Sequence, residues 1–293
     1  MERILFGDNQ FFGINHLSEE KARQQALRFQ QTDAIVDVLQ AALQCGVGGF
    51  MCTTHDLIGQ IADDVRARPS MWQGFRFYPG MPYAHKYANA VTELGYFDAM
   101  RKFLPKEGLI DVMVRGSKAV LGKDIEGLIT LLVDSEMKMF EGLETPVIFL
   151  QNVVTDLVQG LGFVDAFGIF AHHVRERYGA EPGFITMNLP KLLPLLKVAG
   201  VENPIVCANV NKIAFRMCGG IEGYREATKR YPSRVIAMSV LASGGIRPRE
   251  AIEWVTREPY VSSILFGASS RTNIENTVAL IRQFDEGRQA MLA

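Results

Sequence analysis

The sequence predicts an α/β protein folded as a (β/α)8 TIM barrel, with a helix-rich insertion after the third strand. Three observations carry that expectation. Eight short apolar runs recur along the 293 residues. Each is followed by a stretch of helical periodicity, and eight such units is the number that closes a barrel. The alternative, a doubly wound open sheet, usually has fewer strands and a Gly-x-Gly-x-x-Gly turn after the first; Gly7-Asp8-Asn9-Gln10-Phe11-Phe12-Gly13 is not that turn.

The elements follow in order. Residues 4–9 read as a first strand and 32–44 as its helix, with Thr32 or Asp33 as N-cap and Gly46 as the stop. Residues 49–54 read as strand two and 57–68 as its helix, ended by Pro69; residues 75–79 are strand three. From about 84 to 143 the periodicity is helical, broken near Gly95, Pro105 and Gly116, with 109–114 as a competing strand. Residues 147–152 are strand four, followed by a helical region ending near Tyr178 and Gly179. Residues 183–188 are strand five, and Pro190 opens the next helix. Residues 204–209, 235–240 and 263–267 are strands six to eight, and the last helix starts near Arg271. No linker, low-complexity tract or further repeat divides the chain, so residues 1–293 read as one barrel domain.

Composition narrows the partners. Hydrophobic residues make up 48% and charged residues 22%, enough apolar material for one sizeable core and too much for a disordered chain. Lys+Arg 31 against Asp+Glu 32 leaves a net charge of -1, which draws the chain neither to nucleic acid nor to anionic lipid. A small-molecule substrate is the expected partner. No apolar run approaches the ~18 residues of a membrane span, and the first ten residues, with Glu2, Arg3 and Asp8, carry no signal-peptide stretch. Cys45, Cys52, Cys207 and Cys218 have no Cys-x-x-Cys spacing and read as reduced thiols, which gives a cytoplasmic expectation.

In a barrel of this kind, chemistry sits at the C-terminal ends of the strands. That rule turns position into a candidate list. Asp8, with Asn9 and Gln10, ends strand one; Cys52, His55 and Asp56 end strand two. Tyr78 ends strand three, with His85 and Lys86 just beyond; Gln151 and Asn152 end strand four. Asn188, Asn209 and Asn211, and Ser239 follow on strands five to seven. Cys52 and His55 could pair as thiolate and imidazole, or Cys52 could be inert packing. Side-chain amides at several strand ends suit a neutral polar ligand, or else satisfy loop backbone. His172 and His173 lie in a helical region and read as outer-face structure, and no spacing makes a metal site.

The loops after strands seven and eight are rich in glycine and serine: Ser243, Gly244 and Gly245, then Gly267, Ala268, Ser269 and Ser270. Barrels often hold phosphate between these two loops, because glycines admit backbone N–H groups to the anion and a helix N-terminus adds its dipole. The bland alternative is a pair of tight turns, with Ser269 or Ser270 capping the last helix.

Several of these segments, in this order, resemble the aldo-keto reductase barrel family. Gly183-Phe-Ile-Thr-Met-Asn188 with Leu192-Leu193 resembles its strand-five segment, and Pro204-Ile-Val-Cys-Ala-Asn209-Val210-Asn211 its strand-six segment. Ala237-Met-Ser-Val-Leu241, and Phe266-Gly-Ala-Ser-Ser270 followed by Ile274-Glu275-Asn276, resemble its last two; Gly46-Val-Gly-Gly-Phe50 resembles its second strand. The resemblance spans most of the chain outside 84–143. It implies a nucleotide pocket for NAD(P), with Asn188 and Asn209 at the nicotinamide carboxamide and Ser239, Gly244, Gly245, 267–270 and Asn276 on the cofactor side. It also implies an Asp–Tyr–Lys–His tetrad, and here the chain departs: the corresponding positions are Met51, Asp56, Tyr78 or Pro79, and Gln151. Asp8, His55, Asp56, Tyr78 or Lys86 would then have to supply the proton. The segment from Ala242 to Arg247, with 267–270, is also similar to the phosphate loops of deoxyribose-phosphate-aldolase-like barrels. Those use a strand-end Lys, whereas strands five to seven here hold none and Lys212 is the nearest.

Three readings follow. The first is an NAD(P)-dependent oxidoreductase on a small polar carbonyl or alcohol. The second is a non-redox lyase or isomerase on a phosphorylated metabolite. The third is a barrel that kept its ligand pocket without catalysis.

Overall fold

The eight apolar runs close on one another. The structure, a computed structural model, describes residues 1–14, 19–83 and 118–292. Strands β1 (Ile4–Gly7), β2 (Gly49–Thr53), β3 (Arg76–Met81), β4 (Val147–Leu150), β5 (Glu181–Thr186), β6 (Ile205–Asn209), β7 (Arg234–Met238) and β8 (Val261–Phe266) pair in parallel in that order. The pairing of β8 with β1, Leu265 opposite Leu5, closes the barrel. The described helices are α1 (Glu19–Arg28), α2 (Thr32–Gln44), α3 (Asp56–Ala67), α4 (Lys118–Met137), α5 (Asn152–Leu161), α6 (Asp165–Tyr178), α7 (Leu189–Val198), α8 (Gly220–Arg230), α9 (Pro248–Arg257) and α10 (Arg271–Leu292).

Side-chain alternation along the strands builds two cores. Leu5, Met51, Tyr78, Val147, Phe149, Ile205, Cys207 and Ile236 fill the lumen. Their neighbours Phe6, Phe50, Phe77, Ile148, Phe184, Val206, Val235 and Ile264 point outward and pack under the helices. Phe149 takes so much of the lumen that a Cβ on Gly183 would lie 2.3 Å from its ring, so only glycine fits there.

The strand ends differ from expectation where local chemistry intervenes. β1 stops at Gly7, because Asp8 turns the chain into a 3-10 turn, Asn9–Phe12, with Phe11 N–H donating to Asp8 O at 2.8 Å. β3 continues past Pro79 to Met81; its paired register with β4 begins only at Gly80, so the missing proline N–H precedes that ladder. α4 and the turn Lys138–Phe140 lie in the expected helix-rich insertion. Residues 84–117, with His85, Lys86 and the competing strand at 109–114, lie outside the described residues. His173 and Tyr178 on α6 both meet Asp134 on α4, at 2.7 and 2.5 Å, which fixes this histidine in the outer helix layer. Among the described residues no acidic, His or Cys group could hold a metal, and no helix is long and apolar enough to cross a membrane. All four cysteines are free thiols.

Candidate active site

The titratable groups collect where β1, β2 and β3 end. Asp8, only 7% exposed, accepts at one oxygen, Oδ2, both the Thr53 N–H at 2.7 Å and the Thr53 hydroxyl at 2.9 Å. Burial pushes its carboxyl above the ordinary Asp range, and the hydrogen bonds from Thr53 and its own backbone N–H offset part of that rise. His55 flanks the N-terminus of α3, and its Nδ1 accepts the Leu57 N–H at 3.1 Å. With Nδ1 occupied as an acceptor, the ring's proton sits on Nε2. Phe12 lies 4.5 Å from the His55 ring and Tyr83 5.6 Å, both between centroids. Tyr83 follows β3, and burial together with the charge of Asp8 pushes its phenol up.

Three expected members of this set lie elsewhere. Cys52 is 3% exposed and packs in the outward-facing core between barrel and helices. Burial, then the charge of Asp8, pushes its thiol well above the ordinary range. A thiol so placed stays protonated, which is packing and not nucleophilic chemistry. Tyr78 is in the lumen, but its hydroxyl donates to Glu2, which precedes β1. Glu2 also accepts from Arg76, so Tyr78 belongs to the closed N-terminal end of the barrel. Asp56 begins α3 and is exposed, on an outer groove with Asp63, Arg66, Lys138 and Glu141. Lys86 lies outside the described residues.

The far side of the mouth is built by amides and a second carboxylate. Gln151 extends the β3–β4 ladder, its N–H donating to Met81 O at 2.9 Å before α5 begins. Asp156 on α5 accepts the Thr186 hydroxyl at Oδ1, 2.5 Å, and the Met187 N–H at Oδ2, 3.0 Å. Asn188 caps α7, its Oδ1 accepting the Lys191 N–H at 3.3 Å. Asn209 is buried, and its amide donates to Arg216 O at 2.9 Å and Met187 Sδ at 3.0 Å. Asn211 exchanges hydrogen bonds with the Phe215 backbone at 2.7 and 2.9 Å. Asn209 and Asn211 hold the loop after β6, and Asn188 holds a helix start.

The loop after β7 is conformationally unusual. Ser239, Ala242 and Ser243 have φ of 54°, 47° and 56°, and Gly244 has 86°. Non-glycine residues in this region store strain, of order 1–3 kcal/mol each. Ser239, Gly244 and Gly245 are exposed, and Ser243 is half-buried. After β8, the Ser270 hydroxyl accepts the Asn273 N–H at 3.4 Å and caps α10, with Ala268 and Ser269 half-buried beside it. Gly267 is crowded by a protein group: a Cβ there would lie 2.2 Å from Gln10 Oε1. Asn276 is exposed on α10. After β7 the backbone of Gly244 and Gly245 and the side chain of Arg247 are exposed; after β8, Arg271 opens α10, donates to Gln44 and lies 3.7 Å from Glu275.

Sequence reasoning missed Thr53, Tyr83 and Asp156. Thr53 read as strand material, and Tyr83 lay beyond the expected strand end at Pro79. Asp156 gave no signal, because its partners are thirty residues away on another element.

No family model matches this sequence, and no curated protein does. Solved structures do match. PA4992 from Pseudomonas aeruginosa, assigned as an aldo-keto reductase, superposes with a TM-score of 0.62 at 13% identity, over 97% of this chain and 90% of that one. MGS-M4, an aldo-keto reductase from a Medee basin deep-sea metagenome library, gives 0.55 at 12% identity, over 98% and 92%. An aldo-keto reductase of Bombyx mori, solved in complex with NADP, gives 0.55 at 9% identity, over 98% and 89%. Along nearly its whole length, the chain has the eight-stranded parallel barrel fold of the aldo-keto reductases.

Proposed function

We propose that this protein is an NAD(P)-dependent oxidoreductase that interconverts a small polar carbonyl compound and its alcohol at the C-terminal mouth of the barrel. The observation that carries the reading is the whole-length match to aldo-keto reductase barrels, one of them a complex with NADP. The loops after β7 and β8 offer exposed backbone at Gly244 and Gly245 and a helix start at Arg271 for the anionic end of such a cofactor. Gly244, Gly245, Ser269, Ser270 and Arg271 would hold it there, and the half-buried Asn188 would meet the carboxamide. When bound, the nicotinamide supplies or accepts a hydrogen with its electron pair. The protein's own task is to bind and orient the carbonyl and to move the accompanying proton; Asp8, His55 and Tyr83 are the groups at the mouth suited to it. A small-molecule partner and a reducing, cytoplasmic compartment agree with the near-zero net charge and the four free thiols.

Titration with NADPH and NADH, followed by nicotinamide fluorescence, tests the reading. Saturable binding at micromolar cofactor is expected; none at millimolar cofactor overturns it. A specific feature favours a second reading in that event. A buried carboxyl group at the end of β1, with an imidazole on the loop after β2, is also the equipment for removing a proton next to a carbonyl without a redox cofactor. A lyase or isomerase acting on a phosphorylated metabolite would then be tested by binding of phosphorylated sugars.

A further inference from the structure

We propose that Asp8 is the acid–base residue of this site: its Oδ1 delivers the proton to the carbonyl oxygen in reduction and receives it in alcohol oxidation. The proposal rests on the oxidoreductase reading above and gives the proton to a carboxyl at the end of β1.

The geometry selects one atom. Oδ2 is saturated by the two hydrogen bonds from Thr53. Oδ1 receives none from another of the described residues. A proton bound by Asp8 therefore sits on Oδ1, while Thr53 fixes the plane of the carboxyl. Asp8 leaves the barrel at the end of β1, on the face where this fold places its chemistry.

The neighbouring titratable groups fit other roles. Cys52 faces the helix layer. His55 spends Nδ1 on the cap of α3, so that nitrogen does not serve as the base. Tyr83, its phenol held protonated by burial and by the charge of Asp8, is a weaker acid than a carboxyl and serves as a neutral donor or a wall. Phe12, His55 and Tyr83 pack as one cluster, with Phe12 and Tyr83 6.5 Å apart between centroids, which gives this side of the site an aromatic wall.

The step balances. The carbonyl carbon gains a hydrogen and its electron pair from the reduced nicotinamide, and the C=O π pair moves to oxygen. The O–H bond forms with the proton from Asp8 Oδ1, leaving a carboxylate that takes a proton back from solvent. The carbonyl is reduced and the nicotinamide oxidised.

Asp8→Asn tests this, because the amide oxygen can still accept both Thr53 bonds while the group can no longer carry a proton. On cofactor-free wild type labelled with 13C at the Asp carboxyls, one resonance should titrate above the ordinary ~3.9 and be missing from Asp8→Asn. The variant should bind NADPH within about twofold of wild type and reduce a panel of small aldehydes and ketones about 10²–10⁴-fold more slowly. Its residual rate should lose the pH dependence that follows the Asp8 resonance; a merely structural role would instead weaken NADPH binding and leave the pH profile in place. An Asp8 resonance titrating at or below the ordinary value overturns the proposal, and it needs no variant that folds. So does an Asp8→Asn protein that binds NADPH and turns over within about threefold of wild type. Absence of NADPH binding in wild type overturns the oxidoreductase reading and this step with it, a failure separate from the first because the titration is made without cofactor.

Discussion

Thr53 gives both of its donors, the backbone N–H and the side-chain hydroxyl, to the same oxygen of Asp8. The pairing ties the end of β2 to the turn after β1. It also divides the carboxyl into a fixed oxygen and one that carries the chemistry. A buried carboxyl with a single hydrogen bond would stay protonated at neutral pH more readily; two bonds bring it back toward the ordinary range without cancelling the effect of burial.

That balance sets a pH dependence whose sign can be worked out. The folded state binds the Asp8 proton more tightly than the unfolded chain does, because burial raises the carboxyl. Its favourable contribution to folding is complete below the unfolded value of ~3.9 and is lost as pH rises through the folded value. Asp8→Asn has no such dependence. The stability difference between variant and wild type should therefore shift in favour of Asp8→Asn as pH rises through that window, then level off. Thr53→Val removes one of the bonds that lower the carboxyl and should move the same curve to higher pH. Urea unfolding of the three proteins between about pH 3 and 8 checks both statements. A pH-independent difference would show that Asp8 is not raised.

The glycine after β8 answers to Gln10. The Gln10 amide donates to Gly7 O at 2.7 Å, and its Oε1 fills the space a Cβ on Gly267 would need. Gly267→Ala should push that amide aside and lose the Gly7 bond, at a cost of about 1 kcal/mol. The double variant Gln10→Ala, Gly267→Ala should then lose less than the sum of the two singles, as contacting residues do. NADPH affinity of Gly267→Ala should change by less than about twofold. Strict additivity, or a large loss of NADPH affinity at unchanged stability, would return this glycine to the ligand.

How much of this was legible in the sequence depended on which interactions were local. The helix at Thr32–Gln44 and the start of the last helix at Arg271 were readable, because their signals, a periodic apolar face and a flanking Ser, lie within a few residues. Asp8 was readable as the carboxylate at a strand end. Tyr78 was readable as a strand residue, but alternation does not say whether a lumen hydroxyl reaches the open or the closed end of a barrel, and Glu2 decides that. Pro79 hid Tyr83, because a proline reads as a strand stop while here β3 runs on to Met81. Thr53 was hidden by being a good strand former, a property that conceals its second role as a double donor. The amides divide the same way. Asn188 was marked as a residue that could meet a ligand, and its side chain is engaged by a cap that a Leu-Pro-Lys sequence just after it could have suggested.

α4 reaches the segment that carries the site through a buried bond. The Thr54 hydroxyl donates to Glu136 on α4, and both residues are almost fully buried, 0% and 2% exposed. Thr54 stands between Thr53, which holds Asp8, and His55, so α4 anchors the segment that carries both groups. Thr54→Val takes a donor away from a buried carboxyl group, an omission that costs about 1–3 kcal/mol, whereas Thr54→Ser keeps the hydroxyl and should cost less. Urea unfolding measures that part. The positional part is read on the Asp8 carboxyl resonance. Loosening the segment should weaken the Thr53 bonds and move the Asp8 titration upward in Thr54→Val, and Thr54→Ser should restore it. If Thr54→Val loses stability while Asp8 titrates as in wild type, the Thr54–Glu136 bond holds α4 to the barrel without positioning the site.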